Sequence, residues 1–169
     1  MDYTYEIKIP KERIGVLIGP SARIKKSVEE ALHVKLNIDS KEGEIRIKGG
    51  DTINMYAARE VIKAIGRGFN PETASLLLKP DYVLDVVSIQ DYSGKAKNRV
   101  LRLKGRVIGA EGQSRKHIEE LTETFISIYG KTISIIGLFE NVSDARRAIE
   151  TLLSGAQHGG VYKWLEQRR

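Results

Sequence analysis

Two glycines three residues apart, Gly109 and Gly112, stand at the centre of Val107-Ile108-Gly109-Ala110-Glu111-Gly112-Gln113-Ser114-Arg115-Lys116-His117-Ile118. Glycine lets a chain turn sharply and lets another backbone approach with no Cβ in the way. The residues after Gly112 have helical spacing. A helix begun there points unpaired N–H groups at the loop, and these attract an anion. Cations crowd both sides: Lys95, Lys97, Arg99, Arg102, Lys104 and Arg106 before the loop, Arg115 and Lys116 after it. Arg99, Arg102 and Arg106 fall on one helical face at i, i+3 and i+7. The chemistry suggested is the grip of a phosphate backbone.

Catalytic chemistry finds no comparable support. The chain has no cysteine, and its three histidines, His33, His117 and His158, lack metal-ligand spacing. It contains neither a GxxxxGK[ST] nor a GxGxxG loop, and its acids fall in no recognisable catalytic arrangement. No cofactor, metal or small-molecule substrate is expected, and the chain reads as a binding protein.

The loop has a partner ninety residues upstream, in Val16-Leu17-Ile18-Gly19-Pro20-Ser21-Ala22-Arg23-Ile24-Lys25-Lys26-Ser27-Val28. The segments C-terminal to the two loops also match in order. Val34–Ile38 answers Phe125–Tyr129, Ile45–Gly49 answers Ile133–Gly137, and Ala58–Ile62 answers Ala145–Ile149. Four matches in register imply a duplicated unit. The upstream loop departs from the pattern, with Ala22 at the second glycine position and Pro20 removing an N–H. Two readings stay open for Gly19, Pro20, Ser21, Ala22, Arg23, Lys25 and Lys26: a weaker contact with the same ligand, or a degenerate repeat kept for packing. Charge is concentrated at the loops. Between Lys8 and Lys26 six basic residues face one acid, and between Lys95 and Lys116 eight face one, within a chain of net charge +6.

Periodicity locates the elements that must position the loops. In the first unit, strands at Tyr3–Ile9, His33–Asp39 and Ile45–Lys48 alternate apolar and polar residues. Helices are expected over Lys11–Ile18, Ala22–Ala31 and Thr52–Gly66, the last N-capped by Asp51. In the second unit, strands are expected over Tyr82–Ile89, Phe125–Tyr129 and Thr132–Ile136, the last two joined across Gly130-Lys131. Asp91–Gly94 reads as a turn. Helices are expected over Ala96–Ile108, Ser114–Thr124 and from Ser143 to Leu153. Val100–Lys104 can alternatively be read as a strand. The order is β-α-α-β-β-α twice. The expected domains are 1–69, with the degenerate loop, and 82–169, with the intact loop and a C-terminal extension. A linker, 70–81, joins them, its Leu76-Leu77-Leu78 run packing between the domains. The tail lacks a clear counterpart in the first unit. Its Gly159-Gly160 pair reads as a hinge and Val161–Gln167 as a short helix docked by Trp164 and Leu165.

These features together resemble the KH family, as tandem eukaryotic-type repeats. The resemblance implies an α+β fold in which each unit packs a three-stranded sheet against three helices. It implies single-stranded RNA as the ligand, about four nucleotides held by the loop. The residues so implicated are Arg99, Arg102, Arg106, Gly109, Ala110, Glu111, Gly112, Gln113, Ser114, Arg115 and Lys116. Val107, Ile108, Ile118 and Ile126 or Ile128 correspond to the apolar groove that faces bases. Glu111 departs from the lysine or arginine that many such loops carry. With His158-Gly159-Gly160-Val161-Tyr162-Lys163-Trp164-Leu165-Glu166 closing the chain, the sequence also resembles the Partner of Nob-one family, in an archaeal form. That resemblance implies a ribosome-biogenesis factor that binds the 3′ region of small-subunit precursor rRNA and presents it to the Nob endonuclease. A general KH binder in translation or RNA decay, or a protein-interaction scaffold with lost RNA binding, are the alternatives. No stretch resembles a signal peptide or a membrane span, and a cytoplasmic protein is expected.

Overall fold

The computed structural model describes residues 2–168. The chain divides into two compact units, Met1–Pro80 and Asp81–Arg169. Each has the same architecture, in agreement with the α+β fold read from the sequence.

The first unit runs β1 (Tyr3–Lys8), α1 (Ile14–Ile18), α2 (Arg23–Leu32), β2 (Lys35–Asp39), β3 (Glu44–Gly49), α3 (Thr52–Gly66) and α4 (Pro71–Ala74). Short 3-10 turns cover Lys11–Arg13, Pro20–Ala22 and Ser75–Leu78. The sheet is antiparallel with β3 central, in the order β1-β3-β2. Strand alternation sets its two faces. Ile45 and Ile47 are fully buried and pair with Ile7 and Tyr5 of β1, while Glu44, Arg46 and Lys48 stay exposed. Asp51 caps α3 as expected, its Oδ1 accepting the N–H groups of Ile53 at 2.8 Å and Asn54 at 3.2 Å. Met55, Ala58, Ile62 and Ile65 put one stripe of α3 into the core.

The second unit runs β4 (Tyr82–Ser88), α5 (Gln90–Ser93), α6 (Lys97–Ile108), α7 (Gln113–Thr122), β5 (Phe125–Tyr129), β6 (Thr132–Leu138), α8 (Phe139–Leu153) and α9 (His158–Gln167). A 3-10 turn at Ala110–Gly112 separates α6 from α7, and the sheet order is β4-β6-β5. Ile133 and Ile135 of β6 pair with Ile128 and Ile126 of β5. They meet Val107, Ile118, Ala145 and Ile149 in the core. The sequence alternative of a strand at Val100–Lys104 is excluded, because that stretch is the middle of α6.

Four boundaries differ from the sequence reading. The segment at Asp91–Gly94 contains one helical turn, α5, ended by Gly94 at φ 70°. Helix α8 begins at Phe139, not Ser143, and no side chain caps it. Buried Val142 continues the Ala145–Ile149 stripe back by one turn, and that burial outweighs a serine's capping preference. Gly159 and Gly160 lie inside the first turn of α9 and form no hinge. The 70–81 connection is largely folded: Asn70 Oδ1 caps α4 through the N–H of Thr73 at 2.8 Å, and Ala74 and Leu77 are buried where this segment packs on α3. Pro71 and Leu78 match His158 and Leu165 of α9 at the same repeat offset. The tail therefore has a shortened counterpart in the first unit, which the sequence reading missed.

Candidate nucleic-acid interface

The second loop is built by three successive departures from helical geometry. Helix α6 ends at Ile108, and Gly109 takes φ 75°, ψ 173°. Glu111 adopts φ 56°, ψ 27°, and Gly112 φ 74°, ψ 11°. Its two glycines are needed for different reasons. A Cβ on Gly109 would lie 2.6 Å from the Cβ of Ser114, so the turn itself forbids a side chain there. At Gly112 nothing lies within 4 Å of the same position. Gly112 is thus the glycine whose bare face leaves room for an incoming backbone. No side chain caps α7; the Gln113 N–H donates to the Ala110 carbonyl, and the N–H groups that follow it in the first turn have no side-chain cap.

The first loop has the same backbone. Gly19 sits at φ 74°, ψ 174°, Ser21 at φ 54°, ψ 34° and Ala22 at φ 58°, ψ 26°. Ala22 therefore holds a left-handed conformation that costs a non-glycine residue about 1 kcal/mol. Its methyl projects from the position left bare at Gly112. The fold tolerates the substitution, and the surface available to a ligand shrinks.

The cations of the sequence pattern separate into two groups. Lys95, Lys97, Arg99, Arg102 and Lys116 are exposed, as are Arg23 and Lys26 in the first unit, where Lys25 is half-buried. Arg106 does not share the surface track of Arg99 and Arg102. Its Nε donates to the Leu152 carbonyl at 3.1 Å and its Nη2 to the Ala156 carbonyl. Lys104 donates to the Gly130 carbonyl at 3.0 Å, and Arg115 pairs with Glu119 at 2.7 Å. Ala110, Glu111 and Gln113 are exposed on the loop, while Ser114 is buried with an unpartnered hydroxyl. The apolar candidates also divide. Val107, Ile118 and Ile126 are core residues, and only Ile108 and Ile128 keep partly exposed surface to offer a base.

One acidic residue of importance escaped the sequence reading. Glu119 Oε2 accepts the N–H of Ile126 at 2.7 Å, fixing the start of β5 to α7. Glu29, ninety residues upstream, does the same for Leu36 at 2.8 Å. The signal was present as a glutamate repeated at matching positions of both units. Burial pushes the Glu119 carboxyl above its ordinary pKa, against the opposing pull of the Ile126 N–H and Arg115.

Comparison with known proteins agrees with this geometry. A family model described as "Eukaryotic type KH-domain (KH-domain type I)", for the second such domain of PNO1 proteins, matches residues 83–169. A KH domain model matches residues 4–64. The KH domain-containing protein MJ0443 of Methanocaldococcus jannaschii is 48% identical over 167 residues, covering 96% of this chain and 73% of that protein. The pre-rRNA-processing protein PNO1 of Chaetomium thermophilum is 32% identical over 168 residues, covering 94% of this chain and 63% of that protein. The chain thus spans about three quarters of the archaeal relative and under two thirds of the fungal one. Among solved structures, Dim2p in an a/eIF2alpha-aDim2p-rRNA complex from Pyrococcus horikoshii superposes with a TM-score of 0.92 at 39% identity, covering 99% of this chain and 94% of that one.

Proposed function

The chain belongs to the eukaryotic-type KH-domain family, in its PNO1 and Dim2 branch, and from that premise we propose that it is an RNA-binding ribosome-biogenesis factor whose second unit grips a single-stranded RNA backbone. The observation that carries this reading is the bare face at Gly112, next to the uncapped start of α7 and the exposed cations of α6. Backbone N–H groups and the positive end of α7 bind phosphate oxygens. Arg99, Arg102 and Lys116 extend the positive track, and Ile108 and Ile128 offer apolar contact to a base. Its role is to bind and position, in keeping with its family, with no bond made or broken by its own residues.

The RNA we assign is the 3′ region of small-subunit precursor rRNA, held for maturation by a separate endonuclease of the Nob type. Support comes from the pre-rRNA-processing name of the PNO1 relative and the rRNA in the Dim2p complex. The test is fluorescence anisotropy with a short RNA matching the 3′ end of small-subunit rRNA beside a scrambled RNA. Tighter binding of the matched RNA is expected. Equal binding of both would contradict rRNA selectivity and leave a general KH binder.

A further inference from the structure

The tail from His158 to Glu166 takes no part in the RNA contacts assigned above, yet it touches both arms of the second loop. Helix α9 packs on α7 and α8. Arg106 lies in the last turn of α6, three residues before Gly109, and its carbonyl accepts a hydrogen bond from His158 Nε2 at 2.7 Å. The same arginine donates to the carbonyls of Leu152 and Ala156, at the end of α8 and the approach to α9. On the other arm, His117 of α7 meets the Tyr162 ring edge-on, with centroids 4.4 Å apart at 86°. The His158 ring lies 6.1 Å from the same tyrosine. Tyr162 thus stands between a histidine bonded to α6 and a histidine carried by α7.

The first unit supplies an internal comparison. Its arginine anchor is present: Arg13 donates to the carbonyls of Ile65 at 2.8 Å and Phe69 at 2.9 Å, the repeat counterparts of Leu152 and Ala156. The aromatic tie is missing. Ser27 and Ser75 occupy the positions of His117 and Tyr162, and an open apolar groove of about 210 Å³ lies there, lined in part by Ile24, Val28, Ile65 and Leu78. The unit with the intact loop has the tie, and the unit with the degenerate loop does not. Core packing therefore does not require it, since the first unit folds without it.

We propose that His158, Tyr162 and His117 are positioning residues that lock α6 and α7 at a fixed spacing and so preorganise the Gly109–Gly112 loop for a phosphate backbone. The proposal rests on the RNA reading of that loop. A preorganised loop loses less conformational freedom on binding, and the tie acts through that saving, with no contact to RNA of its own.

The test measures RNA affinity and amide hydrogen exchange on the full chain. Tyr162→Ala and His158→Ala are expected to weaken binding roughly ten-fold, with the salt dependence unchanged because the same phosphates are contacted. Their amides at 109–115 should exchange faster, while those of β4–β6 keep wild-type protection. Tyr162→Phe, which keeps the ring contact, and His158→Gln, whose side-chain N–H can reach the Arg106 carbonyl, should restore binding to within about three-fold of wild type. Gly112→Asp runs alongside as the loop control. Wild-type affinity in Tyr162→Ala, with binding abolished in Gly112→Asp, would overturn the proposal and spare the RNA reading. Lost protection spread across β4–β6 would also overturn it, by making α9 a general stabiliser. Undiminished binding in Gly112→Asp would sink the RNA reading itself, and this proposal with it.

Discussion

At their fourth position the two loops differ by one methyl group. Ala22 and Gly112 share a left-handed backbone, at φ 58° and 74°, so the difference lies in what each presents outward. Relieving the strain is the first prediction. Ala22→Gly should raise the stability of the first unit by up to about 1 kcal/mol, read by urea unfolding, because the native φ favours glycine. A clear loss of stability would contradict the geometry. Glu119 supplies a pH-dependent prediction. Its carboxyl is held above the ordinary value mainly by burial, so the folded state takes up a proton more readily than the unfolded chain. That contribution is complete below the usual glutamate pKa and is lost as pH rises through the raised one. Compared with Glu119→Gln, which does not titrate, the wild type should lose stability as pH rises from the ordinary glutamate range through the raised value. A difference between the two that stays flat across this range would contradict it. At this scale the sequence was half legible. Glycines, cations and their spacing could be read directly. That Arg106 bonds the carbonyls of residues 152 and 156, some fifty positions away, could not, because only the folded chain brings them together.

The element least legible in the sequence was the stretch after each unit's last core helix. Two prolines and a leucine run made 70–81 look like a linker, and the double glycine made the tail look hinged. In the structure both stretches return onto their own unit, α4 with its 3-10 turn onto α3, and α9 onto α7 and α8. Pro71 sits at the first position of α4, where a proline has no N–H bond to lose, so it starts a helix there. Leu77 is 7% exposed. Leu77→Ala should therefore destabilise the first unit by about 2–3 kcal/mol through transfer and cavity terms. A change below about 0.5 kcal/mol would mark the segment as a free connection. The core elements were readable because β3 carries an unbroken 2.0 period and α3 and its repeat α8 carry a 3.6 period. The start of α8 at Phe139 matches the start of α3 at Thr52 at the repeat offset, one turn earlier than Ser143 suggested.

For the molecule as a whole, duplication was the most informative signal. It made a weak Gly-x-x-Gly motif specific, gave both units one element order and relates the glutamates at 29 and 119. The two units differ around the loop: one has a bare glycine and an aromatic tie, the other has Ala22, Pro20 and two serines. On the proposed reading the second unit is the RNA clamp, and the first is not expected to replace it. The most direct measurement is anisotropy of a short single-stranded rRNA 3′-end segment against wild type, Gly112→Asp and Ala22→Asp, at two salt concentrations. Both substitutions place a carboxylate at equivalent positions. The account predicts that Gly112→Asp lowers affinity at least about ten-fold, Ala22→Asp changes it by less than about three-fold, and wild-type binding weakens steeply with salt. Equal losses in the two variants, or a loss confined to Ala22→Asp, would contradict it.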